Sequence, residues 1–383
     1  MTKRSRNRKA DGALVHALEF LDKTPLVDGH NDLAYLIRRH ARGNVAAYDL
    51  CRRSQGRDTD LPRLREGRVS AQVFAAFVPP REPNPASFAL MQIALIRRMN
   101  AIHPDAFMPA TRASDIARAK RRGRIASLVS IENGAAIESR LDALSAFYDL
   151  GVRLLTLCHN ATTQWCDSAT DTPRHGGLAD FGKDVIAEMN RLGMLVDLAH
   201  ASDAAMHQVL DIARAPVAFS HSNARALCDH PRNVPDDVLA RVPGNGGIVM
   251  ATFVPHFISQ TSRDWLRPLQ DQYGQHLPGR DAAQRIAARE GERGTWPRGT
   301  LAQFCDHIDY LAAKIGHDHV GIGSDFFGGP QGQGLEDASS FPGIFAELIR
   351  RKWSERNLRK LASGNFVRVL REAERRGGRS MTP

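Results

Sequence analysis

Eight short apolar runs recur along this chain of 383 residues, and most of them are rich in β-branched side chains. Apolar and polar residues do not alternate cleanly within the runs. That pattern is typical of strands that are buried on both faces of a parallel sheet. The sequence therefore predicts strands over residues 25–29, 70–78, 125–131, 152–157, 194–199, 216–220, 247–253 and 319–324.

Amphipathic segments with a helical period separate these runs. Ser202 is a predicted N-cap, and the apolar residues that follow it fall on one helical face. Thr300 is likewise a predicted N-cap, before a second helical stripe of apolar residues. Strands that alternate with helices in this way predict an α/β fold, and eight of them predict a closed (β/α)8 TIM barrel rather than an open sheet.

One domain accounts for almost the whole chain. The predicted barrel covers residues 13–374, and residues 1–12 and 375–383 are expected to be tails. Residues 34–69 form a long polar interval, which is expected to carry irregular structure over the barrel mouth. Residues 256–300 form a second insertion, rich in Arg, Gln and Gly, which is expected to hold one or two helices.

The formal net charge of +10 is concentrated near the chain ends. Residues 1–10 hold five Lys or Arg and no acid, and residues 371–379 hold four Arg against two Glu, which leaves about +3 for the rest. A short basic tail is more often a solvated chain end than a binding arm. We therefore expect no nucleic-acid partner, although a nucleic-acid-binding barrel remains the alternative from a different class.

Cysteine use and hydropathy bear on the compartment. The five cysteines are scattered and include no CxxC pair, which argues against a disulfide framework or a zinc ribbon. The chain has no apolar run of about 18 residues, and its basic first residues lead into no apolar signal-peptide core. These features predict a cytoplasmic protein without membrane attachment.

The strongest chemical signal lies where the predicted strands end. His30 and Asp32 are two residues apart, so an extended strand would present both side chains on one face. In a barrel, the C-terminal ends of all strands surround one cavity, where barrel enzymes place their active sites. Further residues of metal-binding types follow the ends of other predicted strands: Glu132, His159, His200, His221 and Asp325.

This set of side chains exceeds the needs of one catalytic zinc ion, which takes about three protein ligands. It suits two metal ions about 3.5–4 Å apart, bridged by a carboxylate and a hydroxide. Glu132 is the candidate bridge. His30 and Asp32 would complete one metal site, and His200 and His221 the other.

Two residues then remain for catalysis. Asp325 can take the proton of the attacking hydroxide and pass it to a leaving amine. His159 can donate a hydrogen bond to the oxyanion of a tetrahedral intermediate. Together these roles predict a metal-dependent hydrolase.

Several motifs in this chain, in matching order, resemble the renal (membrane) dipeptidase family of zinc peptidases, which are amidohydrolase-type barrels. The resemblance extends over about residues 15–372. The motifs that carry it lie at residues 28–33, 130–134, 155–160, 196–202, 219–239, 319–326 and 364–370.

The resemblance implies a binuclear zinc centre, two Zn²⁺ per chain, held by the five residues His30, Asp32, Glu132, His200 and His221. It implies that Asp325 handles the proton and that His159 contacts the substrate carbonyl. It also implies that Arg232 binds the terminal carboxylate of the substrate, a role that suits the two parallel donors of a guanidinium. A homodimer and a D-residue at the second substrate position are further implications.

This chain departs from the family pattern in three places. Residues 73–77 are plainer than the aromatic-rich sequence that many relatives have, Asn133 replaces a frequent Gly, and residues 256–300 match nothing in the pattern. Substrate preference is therefore open. We predict a zinc dipeptidase that acts on small dipeptides, including L-Xaa-D-Xaa. The alternative is a binuclear amidohydrolase that acts on an N-acyl amino acid, a lactone or a phosphoester.

Overall fold

The structure is a computed structural model, which describes residues 11–273 and 279–377. Within these ranges it contains nine β-strands, and every strand pairing is parallel. The strands are β1 (Val27–Asn31), β2 (Ala71–Phe77), β3 (Phe107–Pro109), β4 (Ile125–Glu132), β5 (Val152–Thr156), β6 (Leu195–Asp197), β7 (Ala218–Phe219), β8 (Ile248–Ala251) and β9 (Val320–Ile322).

Eight of these strands follow one another around the molecule in the order β1-β2-β4-β5-β6-β7-β8-β9. The first and last strands meet just beyond their ends, where Asn31 bridges to Phe326. There the amide of Asp32 donates to the carbonyl of Phe326 at 2.9 Å, and the amide of Asp325 donates to the carbonyl of His30 at 3.2 Å. The predicted (β/α)8 barrel is confirmed.

The helices pack around this sheet in alternation with the strands. The described α-helices are Gly12–Lys23, Leu33–Ala41, Val45–Tyr48, Leu61–Glu66, Pro85–Ile102, Ala113–Arg121, Leu141–Asp149, Asp180–Leu192, Asp203–Ile212, Asp236–Leu239, Val242–Asn245, Pro255–Ile258, Gln260–Tyr273, Gly279–Arg293, Leu301–Ile315, Phe341–Arg350, Glu355–Arg359 and Asn365–Arg376. Short 3₁₀ segments lie at Gly134–Ile137, His317–His319 and Ala338–Ser340, and a π segment lies at Lys360–Gly364.

Every predicted run overlaps a strand; six of the eight observed strands are shorter than predicted, β1 is shifted by two residues, and β4 is one residue longer. The two predicted helix caps are also present: the hydroxyl of Ser202 accepts from the amide of Ala205 at 3.3 Å, and Thr300 forms a capping box with Gln303. Strand β3 was not predicted. It pairs with the beginning of β4 and is not one of the eight strands of the barrel. With only three residues, it is too short to show a periodic pattern in the sequence.

Apolar side chains form the floor beneath the strand ends. Ala126, Leu128 and Glu132 are separated by even numbers of residues along β4, so their side chains lie on the same face of that strand. They pack in a buried cluster that includes Phe366 and Leu370 of the C-terminal helix. The end of β4 therefore presents Glu132 above a hydrophobic layer.

Both predicted insertions contain helices. Three helices occupy half of residues 34–69, and the rest of the interval is irregular, so the expectation of irregular structure there holds only in part. Buried Arg63 fastens this interval to the loop after β9 through Asp337, at 2.8 Å. The second insertion has a small core of its own, in which Trp265 stacks on Trp296 with ring centroids 5.9 Å apart.

Most of the predicted tails, residues 1–10 and 378–383, lies outside the described residues. The first described helix begins at Gly12, and the last ends at Arg376, two residues into the predicted C-terminal tail. In the described part of the chain, none of the helices combines the length and apolar character needed to cross a bilayer. Cytoplasmic location and the homodimer stay predictions.

Candidate metal centre

The register of the barrel places the strand ends in one layer. Glu132, the last residue of β4, pairs in register with Phe77 of β2 and Thr156 of β5. Thr156 pairs in turn with Asp197 at the end of β6. Side chains that follow these positions therefore leave the sheet at one height and converge on one region.

Local backbone conformation also helps to place the site. His200 and Asp325 have φ values of +69° and +63°, in the left-handed region that few residues other than glycine adopt. The chain thus turns sharply just after β6 and β9. Such strained positions are frequent at functional sites.

Glu132 lies at the centre of the cluster, and its two carboxylate oxygens face different neighbours. Oε2 lies 3.4 Å from Nε2 of His30, which lies 3.6 Å from Oδ2 of Asp32. Oε1 lies 3.1 Å from Nε2 of His200 and 3.5 Å from Nε2 of His221. Those two nitrogen atoms are 3.0 Å apart. One carboxylate therefore stands between two groups of atoms of the kinds that bind metal ions.

Asp325 and His159 border the same cluster. Oδ1 of Asp325 lies 4.0 Å from Nε2 of His30, and Nε2 of His159 lies 3.7 Å from Oε1 of Glu132. His159 thus approaches Glu132 about as closely as His221 does.

All seven side chains predicted at the strand ends are therefore brought together. Their ligand atoms fall into overlapping groups of three whose members lie within 4.8 Å of one another. The groups are His30, Asp32 and Glu132; Glu132, His159 and His200; and His30, His221 and Asp325.

Buried polar atoms in this cluster lack hydrogen bonds. Nε2 of His30 and Oδ1 of Asp32 are inaccessible to solvent and have no hydrogen-bond partner among the described residues. An unsatisfied buried polar atom costs about 1–3 kcal/mol. Imidazole nitrogen and carboxylate oxygen are ligands that zinc accepts. The residues present therefore fit a bound divalent cation.

The electrostatics of the cluster point the same way. Burial raises the pKa of Glu132, and it raises the pKa of Asp325 to about 8, with further increases from Asp32 and Glu132. Burial works to lower the pKa of His30, but the carboxylates of Glu132 and Asp32 raise it well above its ordinary value. Several carboxyl groups thus share a buried space that holds too little positive charge for all of them to ionise.

Arg232 is the nearby permanent cation, and it is only 2% exposed. Its Nη2 lies 3.3 Å from the carbonyl of His221, and its Nη1 lies 3.5 Å from the hydroxyl of Ser222. Its Nε has no hydrogen-bond partner among the described residues. Phe257 covers the guanidinium, 5.5 Å from the ring centroid. This buried guanidinium therefore has donors available for an anion.

Sequence reasoning missed the residues that support this site. Arg225 holds the loop that carries Arg232, since it donates to the carbonyls of Asn233 at 2.9 Å and Pro231 at 3.0 Å. It is itself paired with Asp203 at 2.5 Å. An arginine in a loop gives no periodic signal, so only the folded arrangement reveals this role.

Comparisons with known proteins agree with this geometry. The sequence profile described as membrane dipeptidase, Peptidase family M19, matches residues 14–382. The chain belongs to this family. The resemblance that the motifs indicated is therefore confirmed.

Members of the family and solved structures give the extent of the similarity. Dipeptidase 3 of Mus musculus is 37% identical over 366 residues, which cover 94% of this chain and 66% of the relative. The chain thus spans about two thirds of the length of that relative. The probable dipeptidase PvdM from Pseudomonas aeruginosa superposes with a TM-score of 0.81 at 25% identity, covering 95% of this chain and 99% of that chain.

A third similarity concerns a metallopeptidase from Rhodobacter sphaeroides, whose crystal structure holds a phosphinate mimic of the dipeptide L-Ala-D-Ala. It superposes with a TM-score of 0.74 at 24% identity, covering 91% of this chain and 99% of that chain. At this identity the similarity establishes the shared barrel fold.

Proposed function

We propose that this protein is a zinc-dependent dipeptidase that holds two Zn²⁺ per chain. The observation that carries the proposal is the position of Glu132, whose two oxygens face separate groups of ligand-type atoms. His30 and Asp32 would hold one ion with Oε2, and His200 and His221 would hold the other with Oε1. When bound, two such ions lower the pKa of water enough to supply hydroxide at neutral pH.

Asp325 is the residue that we propose for proton transfer. Its buried carboxyl borders the cluster, with Oδ1 4.0 Å from Nε2 of His30. Cations held beside it would favour the ionised carboxylate, which could accept a proton from the attacking water and give it to the amine that leaves. His159, on the other side of Glu132, is placed to donate a hydrogen bond to the developing oxyanion.

Arg232 is the feature that selects a dipeptide. Its buried guanidinium can bind a carboxylate through two parallel charge-assisted hydrogen bonds. A single such anchor near the cluster favours a substrate whose free carboxylate lies one residue beyond the bond that is cut. Longer peptides would place that carboxylate too far from the cluster.

A dipeptide panel tests this proposal against the alternative substrates. Zinc-loaded protein is incubated with L-Ala-L-Ala, L-Ala-D-Ala, N-acetyl-alanine, a lactone and a phosphodiester, and released products are quantified. We expect release from the dipeptides, and the D-residue is included because the Rhodobacter relative holds a mimic of L-Ala-D-Ala. Asp325→Asn should lower kcat by about 10²–10⁴ with little change in KM. Turnover of the lactone or phosphodiester without dipeptide release would contradict the proposal.

A further inference from the structure

Asp197, at the end of β6, is a buried carboxylate that the proposed chemistry does not use. Four donors point at its two oxygens. The amides of Ser220 and Ala199 donate to Oδ1 at 2.8 and 3.2 Å. The hydroxyls of Thr156 and Ser220 each donate to Oδ2 at 2.6 Å. Asp197 is therefore an acceptor in all of these contacts, which come from the ends of the two neighbouring strands, β5 and β7, and from the turn after its own strand.

Ser220 connects this carboxylate to a side chain of the metal cluster. Its Oγ lies 2.8 Å from Nδ1 of His221. A hydroxyl has one hydrogen, and that of Ser220 is directed at Asp197. The hydrogen in the Ser220–His221 contact must therefore come from Nδ1 of His221.

This assignment fixes the tautomer of His221. With a hydrogen on Nδ1, a neutral imidazole has its lone pair on Nε2. Nε2 is the atom that faces Oε1 of Glu132 and lies 3.0 Å from Nε2 of His200. The partner of the second nitrogen thus decides whether the first one can bind a metal ion.

His200 is oriented in a different way. Its Nδ1 lies 2.8 Å from Oδ1 of Asn160, a neutral acceptor on the loop after β5. The two histidines that we assign to one ion therefore differ in the recorded partner of Nδ1, which is the amide oxygen of Asn160 for His200 and the hydroxyl of Ser220 for His221.

We propose that Asp197 and Ser220 are positioning residues for metal binding, which act as a carboxylate–hydroxyl–imidazole relay that keeps Nε2 of His221 available as a ligand. This inference rests on the metal site proposed above. It assigns the relay to the ion held by His200 and His221, and it gives no role to Asp197 or Ser220 in contacting substrate.

Two matched variants test the relay. Ser220→Ala and Thr156→Val each remove a buried hydroxyl that donates to Oδ2 of Asp197 at 2.6 Å, but only Ser220 contacts His221. Zinc affinity is measured by competition with a chelator of known affinity, after thermal unfolding has shown that each variant folds. We expect Ser220→Ala to weaken one zinc site about 10–100-fold and Thr156→Val to change zinc affinity less than about threefold.

A third variant, Asp197→Asn, reverses the relay while keeping its shape. The two backbone amides at Oδ1 require the amide oxygen of Asn at that position, which leaves its NH₂ group facing the hydroxyl of Ser220. Ser220 would then donate to Nδ1 of His221 and move the ring hydrogen to Nε2. We expect zinc binding at that site to weaken at least as much as in Ser220→Ala, and ¹⁵N NMR of the metal-free protein to show the changed tautomer.

The outcomes separate this inference from the proposed function. Equal effects of Ser220→Ala and Thr156→Val, or wild-type zinc affinity in both Ser220→Ala and Asp197→Asn, would overturn the relay and leave the dipeptidase proposal standing. If the wild-type protein binds no zinc at all, the proposed function fails, and the relay fails with it.

Discussion

Arg232 provides the sharpest test of substrate recognition. Its guanidinium is buried, lacks an ion pair among the described residues and has Nε without a hydrogen bond. We expect Arg232→Gln to abolish the preference for a free C-terminal carboxylate. The substitution keeps a polar side chain of intermediate length but removes the charge and the paired donors.

The magnitude follows from the hydrogen bonds that would be lost. A hydrogen bond to a charged group contributes about 1.5–3 kcal/mol, so two of them contribute about 3–6 kcal/mol. Since about 1.4 kcal/mol corresponds to a factor of ten, the wild-type protein should prefer a dipeptide over its C-terminal amide by at least about 100-fold in kcat/KM. Most of the loss in the variant should appear in KM, because the carboxylate is bound before and during the reaction.

The assay compares kcat/KM for one dipeptide and its amide in wild-type and variant proteins. Arg241→Gln is the matched control, because Arg241 pairs with Asp211 and contacts the carbonyl of His207, away from the cluster. This control should keep the full preference. If Arg232→Gln also keeps it, with unchanged zinc content, Arg232 does not bind the substrate carboxylate and our reasoning about dipeptide selection is wrong.

Two further predictions concern stability. Arg63→Ala should lower the free energy of unfolding in urea by about 3–5 kcal/mol, because it leaves the buried carboxylate of Asp60 without its cation. Arg53 is half-exposed and pairs with Glu66 at 2.7 Å. Arg53→Ala should therefore lower the free energy of unfolding by less than about 1 kcal/mol, and similar losses in the two variants would contradict the argument. Burial lowers the pKa of His307 to about 4, against about 6.5 in the unfolded chain, so the unfolded chain binds this proton more readily as the pH falls. The contribution of His307 to stability should therefore be complete above pH 6.5 and should decrease by about 3 kcal/mol as the pH falls from 6.5 to 4. His307→Gln should remove that part of the pH dependence, and an unchanged slope of unfolding free energy against pH would refute it.

The barrel and the grouping of the candidate ligand residues could be predicted because they depend on local patterns and a simple topology. A buried parallel strand leaves a run of apolar residues, and a barrel collects the residues that end such runs. His30 and Glu132 are far apart in sequence, yet both follow strand ends, so their proximity follows from the fold class alone.

Other parts of the site depend on contacts that no local pattern encodes. Arg232 lies in a loop, and its burial under Phe257 comes from the second insertion. Asp197 was visible as a polar residue in an apolar run, but its link to His221 requires Ser220 on the next strand. The connection of Arg63 to Asp337 joins residues 274 positions apart. The motif resemblance suggested the proposed role of Arg232, and the structure shows the other contacts.

The central claim is that two zinc ions are bound by one cluster around Glu132. The most direct test is elemental analysis of protein purified without added metal or chelator, repeated after chelator treatment and after Glu132→Gln. We predict nearly two zinc ions per chain, loss of both metal and dipeptide hydrolysis after chelation, and recovery of both when zinc is restored. The Glu132→Gln variant should retain clearly fewer than two zinc ions per chain. A protein that holds no metal even after zinc is supplied would contradict the assignment of His30, Asp32, Glu132, His200 and His221 as a set.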